Sequence, residues 1–85
     1  GLEKLVEKHE FTEYVYIAER ICGICSFGHG WGYCRAVEGV MNIDVPPRAR
    51  YLRTIGEELS RIHSHLLWLG LLAVYAGVAH ARAGP

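Results

Sequence analysis

Apolar residues recur every three or four positions through most of the chain. The pattern is plainest in the second half, where Ala49, Leu52, Ile55, Leu59, Ile62, Leu66 and Leu69 fall on one stripe. That is the spacing of an α-helix with one face turned to a covering surface. The helix is expected to start at Pro46, with Asp44 or Val45 as its boundary, because proline is tolerated in the first helical turn. Arg53, Glu57 and Arg61 are expected to form an i, i+4 ladder on its opposite face. Upstream, Leu2, Leu5 and Val6 mark one face of a helix over residues 2–9. Thr12 predicts the N-cap of a second helix, with the acid Glu13 in its first turn and Tyr14, Val15, Ala18 and Ile21 facing inward. Four glycines between Cys22 and Gly32 then predict a loop or a weak helix start. A third helix is expected from Tyr33, with Ala36, Val37, Val40 and Met41 as its stripe and Asn42 as its end. The fold class is therefore all-α: a helical fragment with a glycine-rich loop between helices and one long amphipathic helix.

Leu66 to Ala79 is a run of 14 uncharged residues. It falls short of the ~20 needed to span a bilayer and reads as a helix buried in a larger protein. The 85 residues are 51% hydrophobic and 21% charged, a composition that excludes a disordered chain. Nine basic residues balance nine acidic ones, so no basic excess points to nucleic acid. A domain of this size hides only about 60% of its unfolded surface, and its stability margin is thin. The chain is expected to be a fragment: Gly1 already lies in an apolar-periodic segment, and Gly84 and Pro85 follow an apolar run.

Three cysteines cannot all pair with one another. Cys22 and Cys25 form a C-x-x-C, with Gly23 giving the turn room to aim both sulfurs at one metal ion. With no signal peptide in view, a reducing compartment and a metal or redox role are expected. A redox dithiol calls for a strand before the motif, and the preceding pattern is helical. Cys22, Cys25, His29 and Cys34 give C-x2-C-x3-H-x4-C, one residue short of a zinc knuckle, in which Phe27, Trp31 and Tyr33 would stack on bases. Cys34 also fits a helix face as a small buried hydrophobe. His63 and His65, two apart on the long helix, face different ways and make a poor metal pair. At least one is expected to be a core histidine or to support a metal ligand from behind.

The run Glu19-Arg20-Ile21-Cys22-Gly23-Ile24-Cys25-Ser26, with His29 following, resembles the N-terminal metal-binding signature of the large subunit of [NiFe] hydrogenases. Leu2-Glu3 resembles the end of that family's Arg-Gly-x-Glu element, 19 residues before the first cysteine. Val45-Pro46-Pro47-Arg48-Ala49-Arg50-Tyr51-Leu52-Arg53-Thr54-Ile55, with Glu58-Leu59, Arg61-Ile62 and His65-Leu66-Leu67-Trp68-Leu69-Gly70, resembles the membrane-associated, energy-converting branch. That branch is related to the 49-kDa quinone-site subunit of complex I, which shares the long-helix motif and lacks the cysteine pair.

The resemblance covers residues 1–70 as a hydrogenase-like segment and leaves residues 71–85 as a divergent apolar tail, such as a frameshift in a GC-rich gene would produce. It implies a nickel ion bridged to an iron with CO and cyanide ligands. Four cysteines from two C-x-x-C motifs hold that centre, and the second motif is absent here. Cys22 would be a terminal nickel ligand and Cys25 a bridging thiolate, with His29 hydrogen-bonding toward the bridging sulfur. Glu3 would hold magnesium or anchor the interior, and Arg20 and Glu38 would be internal charge partners. The implied reaction is reversible interconversion of H2 and protons. Electrons would pass to an iron–sulfur cluster in a small subunit, and the complex would sit on the inner face of the cell membrane through partner subunits. The alternatives are the zinc-knuckle module and a non-catalytic scaffold of the quinone-oxidoreductase type.

Overall fold

The structure is a computed structural model and describes residues 1–84; Pro85 of the expected tail lies outside them. The elements are α1 (Leu2–Val6), a 3-10 turn (Phe11–Glu13), α2 (Tyr14–Ala18), α3 (Ser26–Met41) and α4 (Pro47–Ala83). The described residues contain no strand, and the all-α expectation holds.

Several boundaries differ from the pattern. Thr12 caps no helix: it sits inside the 3-10 turn, and α2 is a single short stretch that stops before Ile21. Ile21 is 56% exposed and takes no part in the inner face. The larger correction concerns α3, which starts at Ser26 rather than Tyr33 and runs straight through Gly28, Gly30 and Gly32. Gly30 answers to packing rather than to loop formation, and Gly28 lies in ordinary contact with α4. A Cβ on Gly30 would lie 2.8 Å from Glu19 Cγ, and one on Gly28 would lie 3.5 Å from both carboxylate oxygens of Glu57. Tertiary contact overrides the weak helix propensity of glycine here. Asn42 ends α3 as expected, in the left-handed conformation (φ 52°, ψ 42°) that asparagine tolerates at this position. The long helix starts one residue late, with Pro46 as its cap and Pro47 as its first residue.

The expected ladder on α4 does not form. Arg53 instead reaches across to Glu38 on α3, its Nη1 donating to Oε2 at 2.9 Å and its Nη2 donating to Oε1. Arg61 pairs with Glu58 at 3.5 Å, not with Glu57. A bidentate pair between half-buried groups outcompetes an exposed i, i+4 contact worth a few tenths of a kcal/mol. Gly56 lets the helices meet, since a Cβ there would lie 2.7 Å from Phe27 Cε2. Phe27 in turn stacks edge-on against Trp31, with ring centroids 6.5 Å apart. On the other side of α3, Tyr33 donates its hydroxyl to the Phe11 carbonyl at 2.7 Å and leans on Tyr14.

The Arg53 donors hold Glu38 below its ordinary carboxylate pKa. The sign follows directly. A depressed folded-state pKa contributes stability above the unfolded value, about 4.3, and that stability is lost as pH falls through the folded value. Trp31 fluorescence, read in a Trp68→Phe background, is therefore expected to report loosening of α3 from α4 on acidification below about pH 4. Glu38→Gln should loosen the pair at neutral pH and flatten that acid response; an unchanged acid limb would assign it to another group.

No described hydrophobic side chain is fully buried. The surface measures 7060 Å², against roughly 5,000 Å² for a compact monomer of this mass. The difference lies mostly along α4, whose stripe from Leu52 to Leu69 is 51–63% exposed. His63 and His65 are also exposed, so neither is a core histidine. Residues 47–57 pack beside α3, and the rest of α4 projects as an arm in a molecule 63 Å long. One 18-residue window of α4 reaches a mean hydropathy of 1.5 and is wholly exposed. By length and composition alone the helix could cross a membrane.

Candidate metal centre

The first turn of α3 builds the site. Cys25 is its N-cap residue, and the Cys25 carbonyl accepts the first helical hydrogen bond, from the His29 N–H at 3.2 Å. The Cys25-to-His29 separation is one helical turn, which puts both side chains on one side. Cys22 comes from the preceding irregular turn, after α2. Its sulfur, the Cys25 sulfur and a His29 ring nitrogen all lie within 4.8 Å of one another. This is the only group of three or more metal-binding side chains among the described residues. Cys22 and His29 are half-buried, and Cys25 is exposed.

The two sulfurs are electrostatically distinct. Cys22 is held below the ordinary thiol pKa because the Cys25 thiol donates to it, with further help from the Cys25 and Ile24 backbone N–H groups. Cys25 is raised, first because it donates to Cys22, then by burial and by the neighbouring sulfur. The two sulfurs therefore differ: Cys22 gives up its proton more readily than an ordinary thiol, and Cys25 less readily. Two soft sulfurs and an imidazole suit nickel, copper, zinc or iron rather than magnesium or calcium.

The remaining expected site residues stand apart from this group. Glu3 is on α1, 84% exposed, with its carboxylate 3.4 Å from the Gly1 amine. Arg20 is exposed, and no carboxylate lies within ion-pair distance of it among the described residues. Glu38 does have an internal charge partner, and it is Arg53. Cys34 is outside the cluster, half-buried on α3 along an apolar groove with Phe11, Val15 and Val37. The four-ligand knuckle set is therefore not assembled. A cleft of about 430 Å³ runs past Trp31, Arg35, Glu38 and Arg53 and includes none of the cluster.

Sequence reasoning misses Glu57. The pattern places it in a surface ladder, yet its carboxylate lies against Gly28, between the two cluster residues of α3. Nothing local in the sequence marks it; its place depends on α4 lying beside the first turn of α3.

The family model for nickel-dependent hydrogenase matches residues 1–75. Over 72 residues, 85% of this chain, the sequence is 50% identical to the alpha chain of a membrane-bound hydrogenase of Pyrococcus furiosus, of which it covers 17%. It is 45% identical over 78 residues to formate hydrogenlyase subunit 5 of Escherichia coli, covering 91% of this chain and 14% of the relative. It is also 40% identical over 77 residues to an NADH-quinone oxidoreductase subunit of Solibacter usitatus, covering 91% and 21% respectively. The chain thus spans between a seventh and about a fifth of the length of these relatives. No solved structure matches it.

Proposed function

The chain belongs to the nickel-dependent hydrogenase family, and from that premise we propose that it carries the N-terminal half of a nickel–iron centre in a hydrogenase large subunit. The observation that carries the reading is the convergence of Cys22, Cys25 and His29 within 4.8 Å. The donor set fits a soft transition metal. Cys22 and Cys25 would hold the centre through their sulfurs, and His29 would donate a hydrogen bond toward the Cys25 sulfur. When bound, such a centre supplies two adjacent Lewis-acidic metals at which H2 is split heterolytically or formed from protons.

The residues of this chain have separate tasks in that reading. Gly23 and the N-cap turn aim the two sulfurs. The Cys25 thiol, and after it the N–H groups of Cys25 and Ile24, favour the thiolate form of Cys22, the form that accepts a cation at Sγ. The Arg53–Glu38 pair fixes α4 beside α3 and so fixes the helix that presents Cys25 and His29. Glu3 is proposed as a carboxylate for magnesium or for the subunit interior, and Arg20 as an internal charge partner. In both cases later parts of a family-length subunit would surround them. Residues 1–70 are proposed as the hydrogenase-like segment and 71–85 as a divergent tail.

The relatives named as a membrane-bound hydrogenase and a formate hydrogenlyase subunit support an oxidoreductase that works inside a membrane complex. Its proposed partners are a small subunit with an iron–sulfur cluster and membrane subunits that hold it at the inner face of the cell membrane. The uncovered face of α4 supports a large covering surface of this kind. The similarity to a quinone-oxidoreductase subunit raises the scaffold reading; two thiols grouped with His29 favour the hydrogenase over it. The test is hydrogen-dependent dye reduction by membranes from cells producing the complex. The complex with the native chain should reduce the dye, and Cys25→Ser should abolish the activity while leaving subunit abundance intact. Dye reduction that survives Cys25→Ser would sink the proposal.

A further inference from the structure

Among the described residues, the Glu57 carboxylate holds the one buried side-chain oxygen that no partner satisfies. Glu57 Oε2 is buried and has no hydrogen-bond partner. Such orphans are rare, and each calls for a cause. Every other acid on α3 or α4 has a basic neighbour: Glu38 has Arg53 and Glu58 has Arg61. Glu57 has none within ion-pair distance among the described residues. Both of its oxygens lie 3.5 Å from the place a Gly28 Cβ would occupy. Gly28 follows Cys25 by three residues and precedes His29 by one, so the carboxylate rests on the same helical turn as two of the three cluster residues.

Resting on the reading of Cys22, Cys25 and His29 as a metal site, we infer that Glu57 is an outer carboxylate of that site, a positioning residue whose charge strengthens the hold on a divalent cation. A bare carboxylate on the helical turn that presents Cys25 and His29 is unfavourable beside a thiolate without a cation, since like charges at close range repel. With a divalent cation between the thiolates the same charge becomes attractive. The half-site is in this way built to be filled.

The test is titration of the full chain with cobalt(II) under anaerobic conditions, following the sulfur-to-cobalt charge-transfer absorption, with helix content measured on every variant. Glu57→Gln is expected to weaken cobalt binding about three- to tenfold, the factor a single nearby charge supplies when partly screened. High salt should narrow that gap. Glu57→Asp should recover most of the affinity, and Glu58→Gln, one residue away and paired with Arg61, should change nothing. Equal affinity for Glu57→Gln and the parent would overturn the inference while leaving the metal site standing. Loss of helix content in Glu57→Gln would also overturn it, by making the residue structural. Failure of the parent chain to bind cobalt through Cys22 and Cys25 would instead sink the site reading on which it rests.

Discussion

Replacing Cys22 with serine is expected to lower nickel(II) affinity by more than about 100-fold, past the 10–100-fold range typical of groups that only support a ligand. Cys25→Ser should do the same, and Cys34→Ser should leave affinity unchanged. The asymmetry is set by geometry. Cys22 and Cys25 place their sulfurs within 4.8 Å of each other and of His29, and Cys34 is excluded from that group on the far part of the same helix. Serine keeps the size of the side chain and removes the soft donor, so the loss reads the sulfur itself. Affinity of the parent chain should also fall with decreasing pH, because a metal must displace protons from the sulfurs. That displacement is hardest at Cys25, whose pKa is raised. Thiolate-to-nickel absorption bands, titrated anaerobically on all three variants, check the set. Equal damage from Cys34→Ser would restore the four-ligand zinc arrangement and remove the basis for a half-built nickel–iron site.

Legibility in the sequence followed the range of the forces. The apolar stripe of α4 and the stop at Asn42 are local, and periodicity and capping found both to within a residue. The C-x-x-C is local as well, so the pairing of Cys22 with Cys25 could be read from spacing; His29 joins them on one side because α3 starts at Ser26, where the glycines predict a loop. What failed was set by contacts between elements. Glycines at 28 and 30 have the local signature of a loop, yet both lie inside α3, where Glu19 packs on Gly30 too closely for a side chain and Glu57 touches Gly28. Arg53 has a good i, i+4 partner in sequence, and it turns to Glu38 because a bidentate, half-buried pair is stronger. The role of Glu57 was invisible for the same reason: its position is meaningful only once α4 is laid beside the first turn of α3.

Gly30 and Gly32 offer the sharpest separation of local from tertiary control, because the same substitution should have opposite signs two residues apart. Gly32→Ala meets nothing within 4 Å. It is expected to stabilise α3 by about 0.5–1 kcal/mol, the propensity difference between the two residues. Gly30→Ala gains the same propensity and then places its Cβ 2.8 Å from Glu19 Cγ and 2.9 Å from Glu19 Oε1. Gly30 is the one fully buried residue of α3, and Glu19 is itself half-buried, so the acid cannot simply swing into solvent. Overpacking of this kind costs about 1–3 kcal/mol, which exceeds the propensity gain. The site should feel it too: Glu19 precedes Cys22 by three residues, and forcing it off α3 carries the Cys22 turn away from His29. Thermal unfolding and cobalt titration of the two variants should therefore diverge, Gly32→Ala matching or exceeding the parent and Gly30→Ala falling below it in both. Glu19→Ala combined with Gly30→Ala removes the clashing atoms and is expected to recover most of the loss, a coupling that a double-mutant cycle measures. Additive losses in that cycle would show that Glu19 is not what Gly30 makes room for.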